Sequence, residues 1–110
     1  VAINQAAIAI NASQVATTVS DKAANYTLVS ADENTFIRST GSAITVTVPD
    51  VLQIGERVDF LQDGAGQITF SASGVTIQSK GGKLKTAAQY SGVTLVKVAS
   101  GQYRLIGDLG

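Results

Sequence analysis

The 110-residue sequence predicts a mainly β fold: a small antiparallel β-sandwich or barrel, preceded by an N-terminal α-helical stalk and assembled as a trimer. Three observations lead there. Residues 1–25 contain no glycine, and all eleven glycines follow them. Apolar residues in that first segment recur at helical spacing. From Tyr26 onward they recur at every second position, the period of a half-buried strand.

The segment "VAINQAAIAINASQVATTVSDKAAN" carries only two charges, Asp21 and Lys22. Val1, Gln5, Ile8, Ala12, Val15 and Val19 alternate at spacings of four and three, which puts them on one stripe of a helix, and Ile3, Ala7 and Ile10 widen it. A lone helix so rich in Val, Ile, Thr and Asn is marginal in water, because propensity is weak and nucleation costly. It needs support. The expectation is a coiled-coil-like stalk over 1–25 made by three copies, with packing on its own body or an extended leader as alternatives. The β domain then covers 26–110.

Within that domain "AITVTVP" alternates cleanly, with Ile44, Val46 and Val48 on one face, Thr45 and Thr47 on the other, and Pro49 as a stop. The other expected strands are Tyr26–Ser30, Thr35–Arg38, Arg57–Gln62, Gln67–Ala72, Val75–Ser79, Val93–Ala99 and Gln102–Ile106. Glycines at 41, 55, 64, 74, 81, 82 and 101 punctuate them. Many short strands at regular spacing indicate an antiparallel sandwich or barrel.

"FLQDGAGQITF" poses a choice between a phosphate cradle and a bend. A phosphate loop would be followed by a Lys, a Ser or Thr and a helix, whereas "QITFSAS" follows here. The reading is a hairpin with a three-residue loop, Phe60 facing Ile68 and Val58 facing Phe70, and Leu61 outside. In the last hairpin, "VTLVKVASGQYRLIGDL", both faces of the first strand carry apolar residues, which predicts burial on both sides. Its register stays open, because a two-residue turn at Ser100–Gly101 opposes Lys97 to Arg104, an unfavourable like pair.

Function classes fall away by composition. There is no Cys and no His, so disulfides, thiol nucleophiles, Cys/His zinc sites and histidine acid-base chemistry are excluded. Net charge is zero, which argues against a nucleic-acid partner. No apolar run reaches the length of a membrane span, and no secretory signal opens the chain. With Val1 first and no Met anywhere, the expectation is a piece of a longer polypeptide or a processed product. Asp32, Glu33 and Asn34 form an oxygen-rich "ADEN" cluster, read as a polar turn with an ion site as the alternative. Glu56 and Asp59 fall on opposite faces of their strand, and no cofactor is expected. Phe36, Phe60 and Phe70 are assigned to the core, and Tyr26, Tyr90 and Tyr103 to its edge.

Charge is unevenly distributed. Asp32, Glu33, Asp50, Glu56, Asp59 and Asp63 precede Lys80, Lys83, Lys85, Lys97 and Arg104. Antiparallel pairing would interleave the two signs into an ordinary solvated surface, with an anion-binding patch as the alternative. The most exposed-looking loop is "SKGGKLK", and Lys80, Lys83 and Lys85 are its candidate surface-contact residues.

Taken together, Pro49 with Gly55, the "QDGAGQITF" stretch, "GVTI", Lys85 with Gln89–Tyr90, "TLVKV", and Tyr103 followed by "GDL" resemble a β module of bacteriophage tail and fibre proteins. The likeness spans about 26–110. Tyr103 departs from it, since relatives often carry Trp there. The resemblance implies a structural, non-enzymatic virion component: a homotrimeric tail fibre or receptor-binding protein, made in the host cytoplasm. Its partners would be other virion proteins and a bacterial surface glycan or protein. A head fibre, neck fibre or capsid decoration protein, or a non-viral carbohydrate-binding module, are the alternatives.

Overall fold

The computed structural model describes residues 17–110 and contains nine strands. In chain order these are β1 (Val19–Lys22), β2 (Tyr26–Thr27), β3 (Phe36–Ser39), β4 (Ile44–Val48), β5 (Arg57–Gln62), β6 (Ile68–Ala72), β7 (Thr76–Ser79), β8 (Gly92–Ala99) and β9 (Gln102–Gly107). Two 3-10 turns, Ser30–Asp32 and Lys80–Gly82, complete the secondary structure. The β class is as expected, but the pairing is not.

Two sheets face each other. One has six strands in the order β1-β3-β5-β8-β9-β7, and the other has three, β2-β4-β6. The chain alternates between them, so β1 and β2, β3 and β4, and β5 and β6 form three successive coils of a β-solenoid-like stack. Pairing between coils is parallel throughout. A parallel neighbour requires a crossover of a dozen or more residues, and here the crossover is the strand of the opposite sheet. Register partners Val19 and Phe36, Phe36 and Asp59, Tyr26 and Val46, and Ile44 and Ile68 are 17, 23, 20 and 24 residues apart. The antiparallel sandwich or barrel is therefore corrected to stacked coils. Among the nine strands of the described residues, β5–β8 and β8–β9 are the antiparallel pairs.

The helical stalk is corrected wherever the structure describes it. Val19–Lys22 is the edge strand β1, Val19 is 57% exposed on its outer face, and no α-helix occurs among the described residues. Asp21 and Lys22, the only charges in 1–25, explain why a strand serves here. Asp21 lies opposite Arg38 of β3 and accepts a forked pair of hydrogen bonds from it at 2.9 and 2.8 Å, while the Lys22 ammonium sits 4.1 Å from the centre of the Tyr26 ring. Val1, Ile8, Ala12 and Val15 lie outside the described residues.

The core fills the space between the sheets. Ile37, Val58, Phe60, Val93, Leu95, Tyr103 and Leu105 point in from the larger sheet, and Ile44, Val46, Val48, Ile68 and Phe70 from the smaller. Phe60 and Phe70 meet edge to face, ring centres 4.9 Å apart, a favoured aromatic geometry. Val58, Phe60, Ile68 and Phe70 thus share one interior, but across two sheets and not along a hairpin: β5 never pairs with β6. Phe36 is also corrected. Its neighbour Ile37 takes the core position, leaving Phe36 half-buried on the outer face.

"DGAG" is the corner where the third coil crosses from one sheet to the other and lies directly on the corner of the second. Asp63 and Gly64 amides both bond the Ser39 carbonyl, and the Gly66 amide bonds that of Gly41, at 2.9–3.0 Å. A side chain would not fit. A Cβ on Gly64 would lie 2.6 Å from the Gly41 nitrogen, and one on Gly66 only 1.9 Å from that of Ala43. The glycines serve close backbone approach.

The β8–β9 hairpin keeps the two-residue turn at Ser100–Gly101, and a bulge after Lys97 settles its register. Ala99 pairs with Gln102, but Lys97 pairs with Tyr103 and Val96 with Arg104, so the like charges are never opposed. Burial on both faces of β8 is corrected: Val93 and Leu95 are buried, Val96 is half-buried and Val98 is 43% exposed.

Candidate functional site

The lysine loop is built by anchoring both of its ends. Before it, β7 lies parallel on β9 at the edge of the larger sheet. After it, the Leu84 carbonyl accepts from the Phe70 amide at 2.8 Å, and Lys85 bridges Thr69, so residues 84–86 cover the free edge of the smaller sheet. Buried Thr86 fixes this attachment. Its hydroxyl accepts from the Ile68 amide at 2.9 Å and donates to Gln62 Oε1 at 2.6 Å, joining both sheets.

Between the anchors the chain must turn back within a few residues. Gly81 and Gly82 do this with φ of 70° and 69°, a region that side chains other than glycine seldom adopt. The Ser79 hydroxyl closes the loop by donating to the Lys83 carbonyl.

This geometry brings two of the three candidate lysines together. Lys80 and Lys83 line a cavity of about 360 Å³ whose other walls are Gly81, Gly107, Asp108 and Leu109. Lys85 is not among its lining residues and sits beside Thr69 instead. The "GDL" tail, noted in the sequence only as part of a resemblance, supplies the rest of the lining. It is firmly placed: the Asp108 amide and carbonyl bond Gly92 and Ala87 at 3.0 Å, and its Oδ2 accepts from the Ser91 hydroxyl at 2.7 Å. No sequence signal linked residues 80–83 to 107–109, which are more than twenty residues apart in the chain and meet only because β7 lies parallel beside β9, with Ser79 paired to Leu105.

Electrostatics follow from the stacking. The ion pairs among the described residues are Arg38 with Asp21, Arg38 with Asp63, and Lys97 with Asp50, so Lys80, Lys83 and Lys85 have no acidic partner. Successive coils keep sequence neighbours at one level, so the two halves of the chain do not interleave. Residues 17–63 carry seven acids and three cations, and residues 64–110 carry five cations and one acid, a net −4 against +4.

The other sequence candidates have structural duties. Asp32 is buried and accepts from the Tyr26 hydroxyl at 2.5 Å and the Val29 amide at 2.9 Å; burial and that hydrogen bond push the Tyr26 phenol up to about 12. Among the described residues no three His, Cys, Asp or Glu side chains gather as metal ligands. Asp59 accepts from the Thr94 hydroxyl at 2.6 Å. Glu56 instead faces Glu33, whose carboxyl it holds above the usual range by hydrogen bonding and charge. Tyr103 is fully buried, whereas Tyr90 is 70% exposed.

A second cavity, about 500 Å³, lies among Asp50, Val51, Leu52, Gln53, Ile54, Lys97 and Ser100. The Lys97 and Asp50 charges on its wall neutralise each other at 2.8 Å. No helix among the described residues is long and apolar enough to cross a membrane. No protein-family model matches the chain, and no curated protein matches it.

Proposed function

We propose that the chain is a structural and adhesion module of a bacteriophage fibre, a tail fibre or receptor-binding protein, which works as a homotrimer on the virion surface and presents loops to a bacterial cell. One structural observation carries the assembly: the outer face of the larger sheet leaves apolar side chains uncovered. Val19, Phe36, Asp59, Thr94 and Ile106 form one cross-strand row. Its two ends, Val19 and Ile106, are each 57% exposed. Leu61 and Val96 are half-buried on the same face. Scattered single apolar residues need no explanation, but a row on one sheet face suits association. Three copies turning this face toward a common axis would cover it, and the resemblance over 26–110 supplies the viral context.

Sedimentation equilibrium of the whole chain at micromolar concentration tests the assembly. The expected result is a trimer that Val19→Lys with Ile106→Lys dissociates. A clean monomer overturns it. Labelled antibody on virions tests the location, with signal expected at the tail; signal on the capsid alone would assign the chain to a head fibre or decoration protein.

A further inference from the structure

We propose that the cavity between Lys80, Lys83 and Asp108 binds the acidic sugar unit of a bacterial surface polysaccharide, a residue carrying one carboxylate and several hydroxyls. The assignment rests on the attachment reading above and names its ligand. Four observations carry it.

Two lysines without acidic partners, Lys80 and Lys83, line the cavity. An oxyanion placed between them gains charge-assisted hydrogen bonds from both. Asp108 lines the same cavity from the segment after β9. Its Oδ2 is taken by Ser91, while Oδ1 has no partner among the described residues and can accept a hydroxyl proton. A lining that holds both cations and a free acceptor oxygen suits a ligand that is anionic at one end and a hydroxyl donor at the other. A chain of phosphates is acceptor-only and would meet Asp108 as a like charge.

The dimensions agree. About 360 Å³ lies at the small end of ligand sites, roughly 300–1,000 Å³, suited to one sugar ring and not to a long segment. Half-buried Leu109 offers an apolar surface to the ring, and Gly81 leaves the backbone beside the cavity without a side chain. Finally, the +4 half of the molecule draws a polyanion toward this end, raising the encounter rate at low salt.

The probe is polygalacturonate, titrated by calorimetry against the whole chain at low salt, with neutral dextran and inorganic polyphosphate as comparisons. Binding of polygalacturonate is expected. Lys80→Gln with Lys83→Gln should weaken it by about tenfold or more, the worth of two charge-assisted contacts, while Lys85→Gln should change it by less than about threefold, as expected of a screened surface charge outside the cavity. Dextran should not bind. The assignment is overturned by no binding to polygalacturonate, by undiminished binding of the double variant, or by polyphosphate binding equally well. Adsorption to bacterial cells separates the two levels of the claim. A double variant that adsorbs as wild type rejects this site and leaves attachment standing. A wild type that binds polygalacturonate but no cell surface supports the site and rejects attachment.

Discussion

The coils formed by β1 to β6 and the hairpin formed by β8 and β9 are both β structure, but opposite rules build them. From one coil to the next every pairing is parallel, with partners 17 to 24 residues apart, so alignment depends on how corners stack. In the hairpin the partners are joined by Ser100–Gly101, and alignment depends on a local turn and one bulge. Corners tolerate no added atom where they touch, as at Gly66. The hairpin turn stands in open space, as at Gly101, where a Cβ would meet nothing within 4 Å. A coil is therefore broken by bulk, and a hairpin by backbone conformation.

Alanine at these two glycines should break the comparison most sharply. Gly66→Ala drives a Cβ into backbone that cannot swing aside, and should cost more than about 3 kcal/mol, beyond the usual range for overpacking. Denaturant midpoint and slope would measure it, with loss of cooperative unfolding the extreme outcome. Gly101 has φ of 65° and free space around it, so Gly101→Ala should cost only about 1–2 kcal/mol, the left-handed penalty of an ordinary residue. Equal losses at the two sites would erase the distinction.

The two regions are joined at Tyr103. Its hydroxyl accepts from the Leu52 amide at 3.2 Å and lies 3.3 Å from the Pro49 carbonyl, to which it donates, tying the hairpin to the chain between the second and third coils. Tyr103→Phe keeps the ring and strands a buried amide, for an expected loss of about 1–3 kcal/mol. A neutral result would mean that the β5–β8 pairing and apolar packing hold the hairpin without the hydroxyl.

The smallest effect belongs to the first coil and appears only in alkali. Tyr26 keeps its proton up to about 12, above the value of about 10 for an unfolded tyrosine. The folded state therefore binds more protons between those values. Its contribution is complete below pH 10 and is lost as pH rises toward 12. Thermal unfolding of wild type should fall more steeply across that interval than that of Tyr26→Phe. Parallel curves would show that Asp32 does not hold the phenol.

Much of this was legible locally. Strands at 44–48 and 57–62 coincide with the alternation of Ile44, Val46 and Val48 and of Val58 and Phe60, because period two is a property of neighbouring residues. Even the interior positions of Ile68 and Phe70 were readable. Partner choice was not, since alternation says which face a residue takes and nothing about which strand lies beside it. One signal did exist. "AITV" and "QITF" align residue for residue at an offset of 24, and Ile44 with Ile68, Thr45 with Thr69 and Val46 with Phe70 are the register partners, the mark of a stacked repeat. A single copy of so short a match, at a spacing the other coils do not share, is easily taken for coincidence.

The cavity was half legible for the same reason. Three lysines and two glycines marked an exposed loop, but the rest of the lining, Gly107, Asp108 and Leu109, depends on β7 pairing parallel with β9. The charge distribution rests on the same choice of partners. Antiparallel pairing would have mixed the acids of the first half with the lysines of the second, whereas stacked coils hold them apart.

Engineered cysteines test the coil stacking most directly, because the chain has none of its own. Thr45 and Thr69 are register partners on the outer face of the smaller sheet, within reach of a disulfide as neighbouring strand positions. Leu61 and Gln67 would be partners only if residues 60 to 70 were a hairpin. Under mild oxidation Thr45→Cys with Thr69→Cys should cross-link within one chain, and Leu61→Cys with Gln67→Cys should stay reduced. The reverse pattern would contradict the parallel stack and everything built on it.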